Sequence, residues 1–469
     1  MTVASGWAAI ISPRYIGATV TLCLGVALLA FNGFLVSTSL PTAVEELGGV
    51  ALLSWATTVF LVFAIMGGAG AALLKARLGA RAALIAAAAV FLLGSLIASA
   101  AGAMPELLVG RALQGLGEGI VAAICYALIP ELFPSALVPK VFGAESVVWA
   151  LAAFGGPVLS GALTETISWR AAFAVNLPIV AIFVALVLFI VPPRARQKSP
   201  GRLPIVRLLL IGVAIMVVSV GGLLASPVLT GLCLLIAGAT LWSVIARDRT
   251  AQTPLFPTNA FSFNDVVGAG LWVILLMPLA QAGSAVFLVY ALQYIFGLPP
   301  TFAGMVGAIM AITWSTVAIA VAGVPVRVRP VLIRIGPVLL VTGLALLALA
   351  LLAGNLVLIV VAQALIGASY GASWAYTSQT IMEAARPEER DRASALLPTI
   401  QSAGYGIGAA IAGLIANGAG IAAAQTPEAL TGVFVVTFAL CAALSLPAVG
   451  AALAMTRSRA HERAQQGKS

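Results

Sequence analysis

The sequence has very little charge: aspartate, glutamate, lysine and arginine together make up 8% of its 469 residues. An ordinary soluble protein is roughly 25% charged, so a water-soluble surface cannot be built from this chain. The net charge of +9 could suggest a nucleic-acid partner. That function needs basic residues gathered on one face, whereas here they stand in short clusters between apolar segments. We therefore expect a lipid bilayer and no nucleic acid as the partner.

Cysteine and histidine are also scarce. The four cysteines all lie inside long apolar runs, which excludes both a disulfide framework and a CxxC metal site. They are Cys23, Cys125, Cys233 and Cys441. A GxSxG pattern around Ser369 lies within an apolar segment, and the only histidine, His461, is in the C-terminal tail. No imidazole base can serve that serine, so we predict no enzyme activity, no metal and no cofactor.

Long hydrophobic segments are abundant, since 62% of the residues are hydrophobic. About twenty apolar residues suffice for a helix to cross a bilayer, and polar residues, prolines and glycines separate about fourteen such segments. The first begins near residue 15, and because no small-residue cleavage site follows it, we expect it to remain in the mature protein. The segments are 15–40, 50–74, 80–103, 105–128, 141–163, 169–191, 203–225, 227–245, 266–296, 300–323, 331–354, 355–381, 393–418 and 429–455.

Lysine and arginine are concentrated in alternate loops. Such residues resist translocation and mark the cytoplasmic side, and the intervening loops hold almost none apart from Arg170. This pattern predicts an even number of spans, two cytoplasmic termini and a place in the bacterial inner membrane. The basic loop residues include Lys75, Arg77, Arg81, Lys140, Arg194, Arg196, Lys198, Arg202, Arg247, Arg327, Arg329, Arg386, Arg390, Arg392, Arg457 and Arg459.

An internal repeat organises the segments. The stretch from Arg111 to Gly119 aligns with that from Gln363 to Gly371, and at the same offset Gly156 falls on Gly408. Two matches in neighbouring helices indicate duplication of a six-helix unit, the arrangement by which transporters place one site near the bilayer midplane. We predict an N-terminal bundle (1–192), a linker with an inserted helix pair (193–250), a C-terminal bundle (251–456) and a cytoplasmic tail (457–469).

Two ionisable residues fall deep inside the fourth segment. Burying such residues in a membrane costs roughly 2.5 to 3.5 kcal/mol each, so Arg111 and Glu118 are functional candidates. Seven residues apart, they share one helical face. Glu118 could exchange a proton during transport, or the two could form a structural pair that neutralises itself. Glu145, about one turn into the fifth segment, is predicted to lie in a solvated vestibule.

Polar and aromatic residues interrupt the otherwise apolar helices. Aromatic walls with few fixed hydrogen-bond donors suit flat, apolar and often cationic molecules. Taken singly, each such residue is more often an interhelical hydrogen bond or a packing residue. The candidates for a substrate cavity are Asn32, Gln114, Trp149, Tyr290, Gln293, Gln363, Tyr370, Trp374, Gln401 and Tyr405.

The fifth segment carries the most specific motif, with Gly156, Pro157 and Gly161 followed by Trp169-Arg170, Phe173, Asn176 and Pro178. This stretch resembles the antiporter motif of the fourteen-helix drug:H⁺ antiporters of the major facilitator superfamily. The resemblance extends over nearly the whole chain and includes Arg111 and Gln114, which resemble the fourth-helix motif whose arginine is linked to proton transfer in that family. Glycine also allows close helix approach and proline a kink, which could block a proton leak.

Two positions depart from the family pattern. Asn32 stands where the family usually has a first-helix aspartate, and Ala76 stands where it has an aspartate before Arg77. The usual proton site and the usual gating contact are thus both altered. Our hypothesis is that Glu118 is the relocated carboxylate.

The sequence therefore predicts an all-α integral membrane protein of the major facilitator fold, with two six-helix bundles and fourteen transmembrane helices. The expected function is proton-driven efflux of small amphipathic compounds by a monomer. Substrate would bind in a central cavity lined by the first, fourth and fifth segments and their repeat partners. A facilitator or importer on the same fold is the nearest alternative. A receptor or assembly factor would need a soluble domain, for which the short loops leave no room.

Overall fold

The computed structural model describes residues 7–134, 137–193, 205–224, 226–250, 259–260, 262–321, 324–386 and 390–466. Within these residues the chain forms α-helices and short 3-10 helices and no β-strand. Long apolar segments favour helices in lipid, because a helix satisfies every backbone N–H and C=O group of its interior within the segment itself. Four of the basic residues used to predict orientation, Arg194, Arg196, Lys198 and Arg202, lie outside the described residues.

Fifteen α-helices follow one another along the described chain. The sixth and seventh are separated only by Val175, so that they form one membrane-length unit, Trp169–Ile190. The helices are α1 (Ile16–Glu46), α2 (Leu53–Leu78), α3 (Ala80–Ala100), α4 (Met104–Leu132), α5 (Val138–Thr166), α6 (Trp169–Ala174), α7 (Asn176–Ile190), α8 (Ile205–Gly221), α9 (Pro227–Arg249), α10 (Val266–Tyr294), α11 (Pro300–Val321), α12 (Arg329–Leu352), α13 (Leu356–Ala384), α14 (Arg390–Gly418) and α15 (Pro427–Gln466).

Twelve segments of the described chain are long and apolar enough to cross a membrane. The predicted all-helical membrane fold is thus confirmed, whereas the predicted count of fourteen spans is not. Two of the predicted spans account for the difference. Helix α8 has 17 residues, fewer than a typical span, and α14 begins with a charged stretch, Arg390-Asp391-Arg392.

The chain divides into two compact units, and each is described by itself. Unit 1 comprises Met1–Gly49, Val59–Gly212 and Pro299–Met305, and unit 2 comprises Val50–Thr58, Val213–Leu298 and Val306–Ser469. The boundary crosses α2, α8 and α11, each of which contributes residues to both units. The domain limits predicted from the sequence stay a prediction.

The core of unit 1 is formed by apolar side chains from α1, α3, α4 and α7. Phe91, Cys125 and Phe183 are buried at its centre. Helix α3 packs along α4, and α1 packs along α5 and α7. In unit 2, α10 packs against α14 and α15, and α12 packs against α13 and α15, with Phe287 and Phe434 in ring contact at 5.6 Å.

Glycine pairs bring helices together in the same way in both units. In unit 1, a methyl group at Gly115 or Gly119 of α4 would lie 2.1 Å from a backbone carbonyl oxygen of α2. In unit 2, Gly367 and Gly371 of α13 stand 2.2 and 2.6 Å from carbonyl oxygens of α11 by the same measure. Both pairs have the four-residue spacing that lets helix backbones touch. Residues 115 and 119 match 367 and 371 at the offset of the sequence repeat, so the repeat extends to helix packing.

Replacing Gly115 by alanine is expected to lower the thermal unfolding midpoint of the purified protein in detergent. The added methyl group would overlap the Phe60 carbonyl oxygen, and a backbone atom cannot rotate away. Gly432→Ala in α15 is the matched control, because no atom lies within 4 Å of its added carbon, and alanine favours a helix interior over glycine by up to about 1 kcal/mol. Equal midpoints for the two variants would contradict this account of the α2–α4 contact.

Candidate proton-coupling site

A buried carboxylate and two buried amides meet inside unit 1. Asn32 of α1 donates its side-chain N–H to Glu118 Oε2 of α4 at 2.9 Å. Asn176, at the start of α7, donates in turn to Asn32 Oδ1 at 3.3 Å. All three side chains are at most 1% exposed. One acid and its amide partners from three helices thus form a continuous polar chain within an apolar bundle.

The cation of the same helix has partners of its own. Arg111 Nη1 donates to Gln114 Oε1 at 2.7 Å, and Gln114 Nε2 donates to Ser95 Oγ of α3 at 2.9 Å. The guanidinium carbon lies 4.0 Å from the centre of the Phe60 ring, a cation–π distance. Arg111 is 3% exposed. The guanidinium group of Arg111 is therefore positioned by a hydrogen bond to Gln114 of α4 and by the Phe60 ring of α2.

Local sequence explains this arrangement. Residues seven apart lie on the same helical face, so Arg111 and Glu118 point to one side of α4, about 10 Å apart along its axis. Next to Arg111 and Ser95, glycines replace side chains that would push α3 and α4 apart: a methyl group at Gly94 of α3 or Gly110 of α4 would lie within 2.8 Å of the other helix's backbone. Close approach of α3 brings Ser95 to Gln114.

The hydrogen bonds of Glu118 leave one oxygen unused. Oε1 is buried and has no hydrogen-bond partner among the described residues. An ionised carboxylate in such a place loses its hydration without recovering it from donors, which is costly. Binding a proton removes the charge, and the protonated group still accepts the bond from Asn32. The geometry is that of a group whose charge can be changed by one proton, next to a fixed positive charge.

The predicted cavity residues of unit 1 do not all come together. Asn32 and Gln114 join the polar clusters around Glu118 and Arg111. Trp149 of α5 is instead 40% exposed, and no contact described for it links it to either cluster.

In unit 2, an aromatic cluster contains three of the predicted residues, Tyr370, Trp374 and Tyr405. The Tyr370 ring lies 4.7 Å from that of Trp314 and 5.6 Å from that of Trp374. The hydroxyl of Tyr370 is close enough to Tyr405 for the two to interact.

The contacts described for two other predicted residues of unit 2 are to groups outside that cluster. Gln363 donates to Ser284 Oγ at 3.2 Å, and Tyr290 packs on Tyr294 with ring centres 4.4 Å apart. Gln293 and Gln401 are half-buried. The assignment of all ten residues to a substrate cavity stays a prediction.

The antiporter-motif residues of α5 are closely packed within unit 1. A methyl group at Gly156 would meet Phe34 Cβ of α1 at 2.6 Å, and one at Gly161 would meet Thr301 Cα at 2.3 Å. Pro157 lies inside α5, where it contacts the position of Gly304. Its packing partners are thus defined, while its role in blocking a proton leak stays a prediction.

Several residues of these clusters could not be named from the sequence as site residues. Phe60 and Trp314 resemble any apolar residue of a span, and Ser95 resembles any small residue. Asn176 was noticed only as part of the antiporter motif. Glu145 corrects an expectation: it was predicted to be solvated, but it is 2% exposed, because α1 and α4 cover this end of α5. The burial of Glu145 follows from helix packing and could not be predicted from its distance to the end of the span.

Membrane-length helices in two units, with a buried acid, amides and a guanidinium in one of them, define a multi-pass membrane transporter. Comparison with known families agrees. The sequence profile of the Major Facilitator Superfamily matches residues 22–336 and 270–469. The chain belongs to this superfamily of transporters, as the sequence motifs predicted.

Similar proteins and folds are consistent with this assignment. A Mycobacterium tuberculosis protein named as a probable multidrug-efflux transporter is 30% identical over 89% of this chain and 92% of its own length. The multidrug transporter MdtP of Bacillus subtilis is 25% identical over 64% of this chain and 56% of its own. A solved peptide transporter of the POT family shares the fold over 94% of this chain and 95% of its own, with a TM-score of 0.69 and 13% identity.

Proposed function

We propose that this transporter exports small amphipathic compounds in exchange for protons, with Glu118 as the proton-coupling carboxylate. The observation that carries the proposal is the Glu118 site itself: a buried carboxylate with one donor, one unused oxygen and a cation on the same helical face. The names of the similar Mycobacterium and Bacillus proteins support export of drug-like compounds. The proton gradient would supply the energy, and no bound cofactor is invoked.

Coupling would follow from the two charge states of Glu118. Without a proton, the carboxylate prefers a conformation in which water or a cationic substrate reaches it. With a proton, the neutral acid is stable in the dry site described here. Since a ligand shifts a conformational equilibrium only by its differential affinity for the two states, proton binding would favour the closed conformation. Alternating access of the two halves would then move substrate and proton in opposite directions.

A vesicle experiment tests export. Inside-out membrane vesicles containing the protein should accumulate ethidium, a flat cation, when a proton gradient is imposed. A protonophore should stop the accumulation. Ethidium movement that follows its own gradient and ignores the protonophore would instead support the alternative function, a facilitator on the same fold.

We further propose that α8 and α14 also span the membrane, giving fourteen spans, with both termini cytoplasmic and the monomer in the inner membrane. The turn between α8 and α9 would then lie outside. In a variant without native cysteines, Ser226→Cys should react with a membrane-impermeant maleimide added to intact cells. Leu78→Cys, at the end of α2 next to the turn that leads to α3, should react only after the membrane is opened. Labelling of both in intact cells, or of neither, would contradict this topology.

A further inference from the structure

A second carboxylate of unit 1, that of Glu145, is buried. Glu145 of α5 is 2% exposed, and neither of its oxygens has a hydrogen-bond partner among the described residues. An ionised carboxylate there would have lost its hydration on both oxygens, which is strongly unfavourable. Nothing in the clusters around Arg111 and Glu118 requires this residue. A packing role would be served equally by glutamine or methionine, so the presence of an acid calls for a function of the charge.

Among the described residues, two thiols lie near Glu145. Its carboxylate is close enough to Cys23 of α1 and to Cys125 of α4 to interact electrostatically with them. Cys125 is fully buried, whereas Cys23 is half-buried. A thiol is a weak hydrogen-bond donor and carries no positive charge, so neither cysteine can stabilise an ionised Glu145. In the conformation described here, a bound proton is what makes this carboxyl group compatible with its surroundings.

Glu145 lies along the same seam as Glu118, the seam being the contact between α1 and α4. On α1, Gly25 and Asn32 are seven residues apart, and on α4, so are Cys125 and Glu118. Asn32 donates a hydrogen bond to Glu118, and these two residues define one level of the seam. Gly25 and Cys125 define the other level, where a methyl group at Gly25 would lie 2.5 Å from Cys125 Sγ. The separation of seven residues on each helix places the two levels about 10 Å apart along the helix axes.

The seam therefore has two levels, each with one buried acid. The upper level, at Asn32, holds Glu118. The lower level, at Gly25, holds Glu145. Helix α1 runs from its lower to its upper level, so the lower level lies nearer the end predicted to face the cytoplasm.

We propose that Glu145 is a second proton-binding carboxylate of the transport cycle, one level below Glu118. This inference rests on the proposed function. Glu145 holds a proton in the conformation described here and releases it to water when the lower level becomes hydrated. In the next cycle Glu145 takes up a proton of its own, separate from the one that Glu118 binds, from water that enters on the side opposite to that of release. Each substrate would then be exchanged for two protons, one through each acid.

Counting protons tests the inference. In proteoliposomes with an entrapped pH-sensitive dye, tetraphenylphosphonium export by the wild type should be accompanied by about two protons per cation, and by Glu145→Gln by about one. Glu145→Asp keeps the acid and should retain the wild-type ratio. Glu428→Gln, which removes an exposed carboxylate at the start of α15, is the control and should also retain it. An unchanged ratio in Glu145→Gln would overturn the inference.

A spectroscopic readout separates this inference from the proposed function. Infrared spectra of purified protein should contain a band of a protonated carboxyl group that disappears in Glu145→Gln, shifts in Glu145→Asp and remains in Glu118→Gln. If wild-type protein moves substrate without protons, the proposed function fails, and the band still reports whether Glu145 carries a proton. If Glu145→Gln does not fold, a band that fails to shift in Glu145→Asp refutes the assignment.

Discussion

Glu118→Gln is expected to abolish export driven by a proton gradient while substrate exchange across the membrane continues. Glutamine has nearly the shape of the acid and can still accept the bond from Asn32, so the fold should be retained. It cannot bind or release a proton, so the energy of the gradient is no longer linked to transport. We expect gradient-driven accumulation of tetraphenylphosphonium in inside-out vesicles to fall at least about tenfold.

The control measurement for Glu118→Gln is the exchange of labelled against unlabelled substrate in the absence of any gradient. That rate should stay within about threefold of the wild type, since no net proton movement is needed. Glu428→Gln should leave both rates unchanged, because its carboxylate is exposed on α15. Undiminished accumulation by Glu118→Gln would show that the coupling carboxylate lies elsewhere.

Replacing Arg111 should produce the second large effect. Arg111→Met removes a buried charge and leaves Gln114 Oε1 without its donor, and hydrogen bonds to charged groups contribute about 1.5 to 3 kcal/mol. The variant also removes the fixed cation on the Glu118 face of α4. We expect both a lower thermal unfolding midpoint and a loss of gradient-driven transport of about tenfold or more.

Arg111→Lys is the informative companion. Lysine keeps the charge but lacks the planar guanidinium that bonds Gln114 and stacks on Phe60. Transport by this variant should fall between that of Arg111→Met and that of the wild type. If methionine and lysine have the same effect, planar contacts rather than charge explain the role of Arg111. If neither variant reduces transport, Arg111 is not part of the coupling site.

The helices could be predicted from the sequence wherever a strong local signal exists. Long apolar segments and the cost of unpaired backbone in lipid predict helices without reference to tertiary contacts. The ends of a span are harder to predict where the composition is borderline. The sequence predicts a full span at 203–225, whereas α8 is Ile205–Gly221 and ends there because the chain turns at Gly222. The superfamily assignment followed from motifs such as Gly156-Pro157 and Trp169-Arg170.

The centre of the candidate site could be anticipated because charge is rare in this chain. Arg111 and Glu118 stand out in an apolar helix, and their seven-residue spacing places them on one face. Their partners could not be found in this way. That Asn32 rather than Gln114 contacts Glu118 depends on how α1 crosses α4, and the burial of Glu145 depends on the cover formed by Cys23 and Cys125.

The measurement that tests the central claim most directly is proton movement by the purified wild-type protein. Proteoliposomes with an entrapped pH-sensitive dye would be challenged with an outward or inward gradient of tetraphenylphosphonium. Exchange of this cation for protons predicts a dye signal in the opposite direction to the substrate flux, which reverses when the substrate gradient is reversed. Substrate flux with no proton signal in either direction would contradict proton-coupled export and would identify the protein as a facilitator.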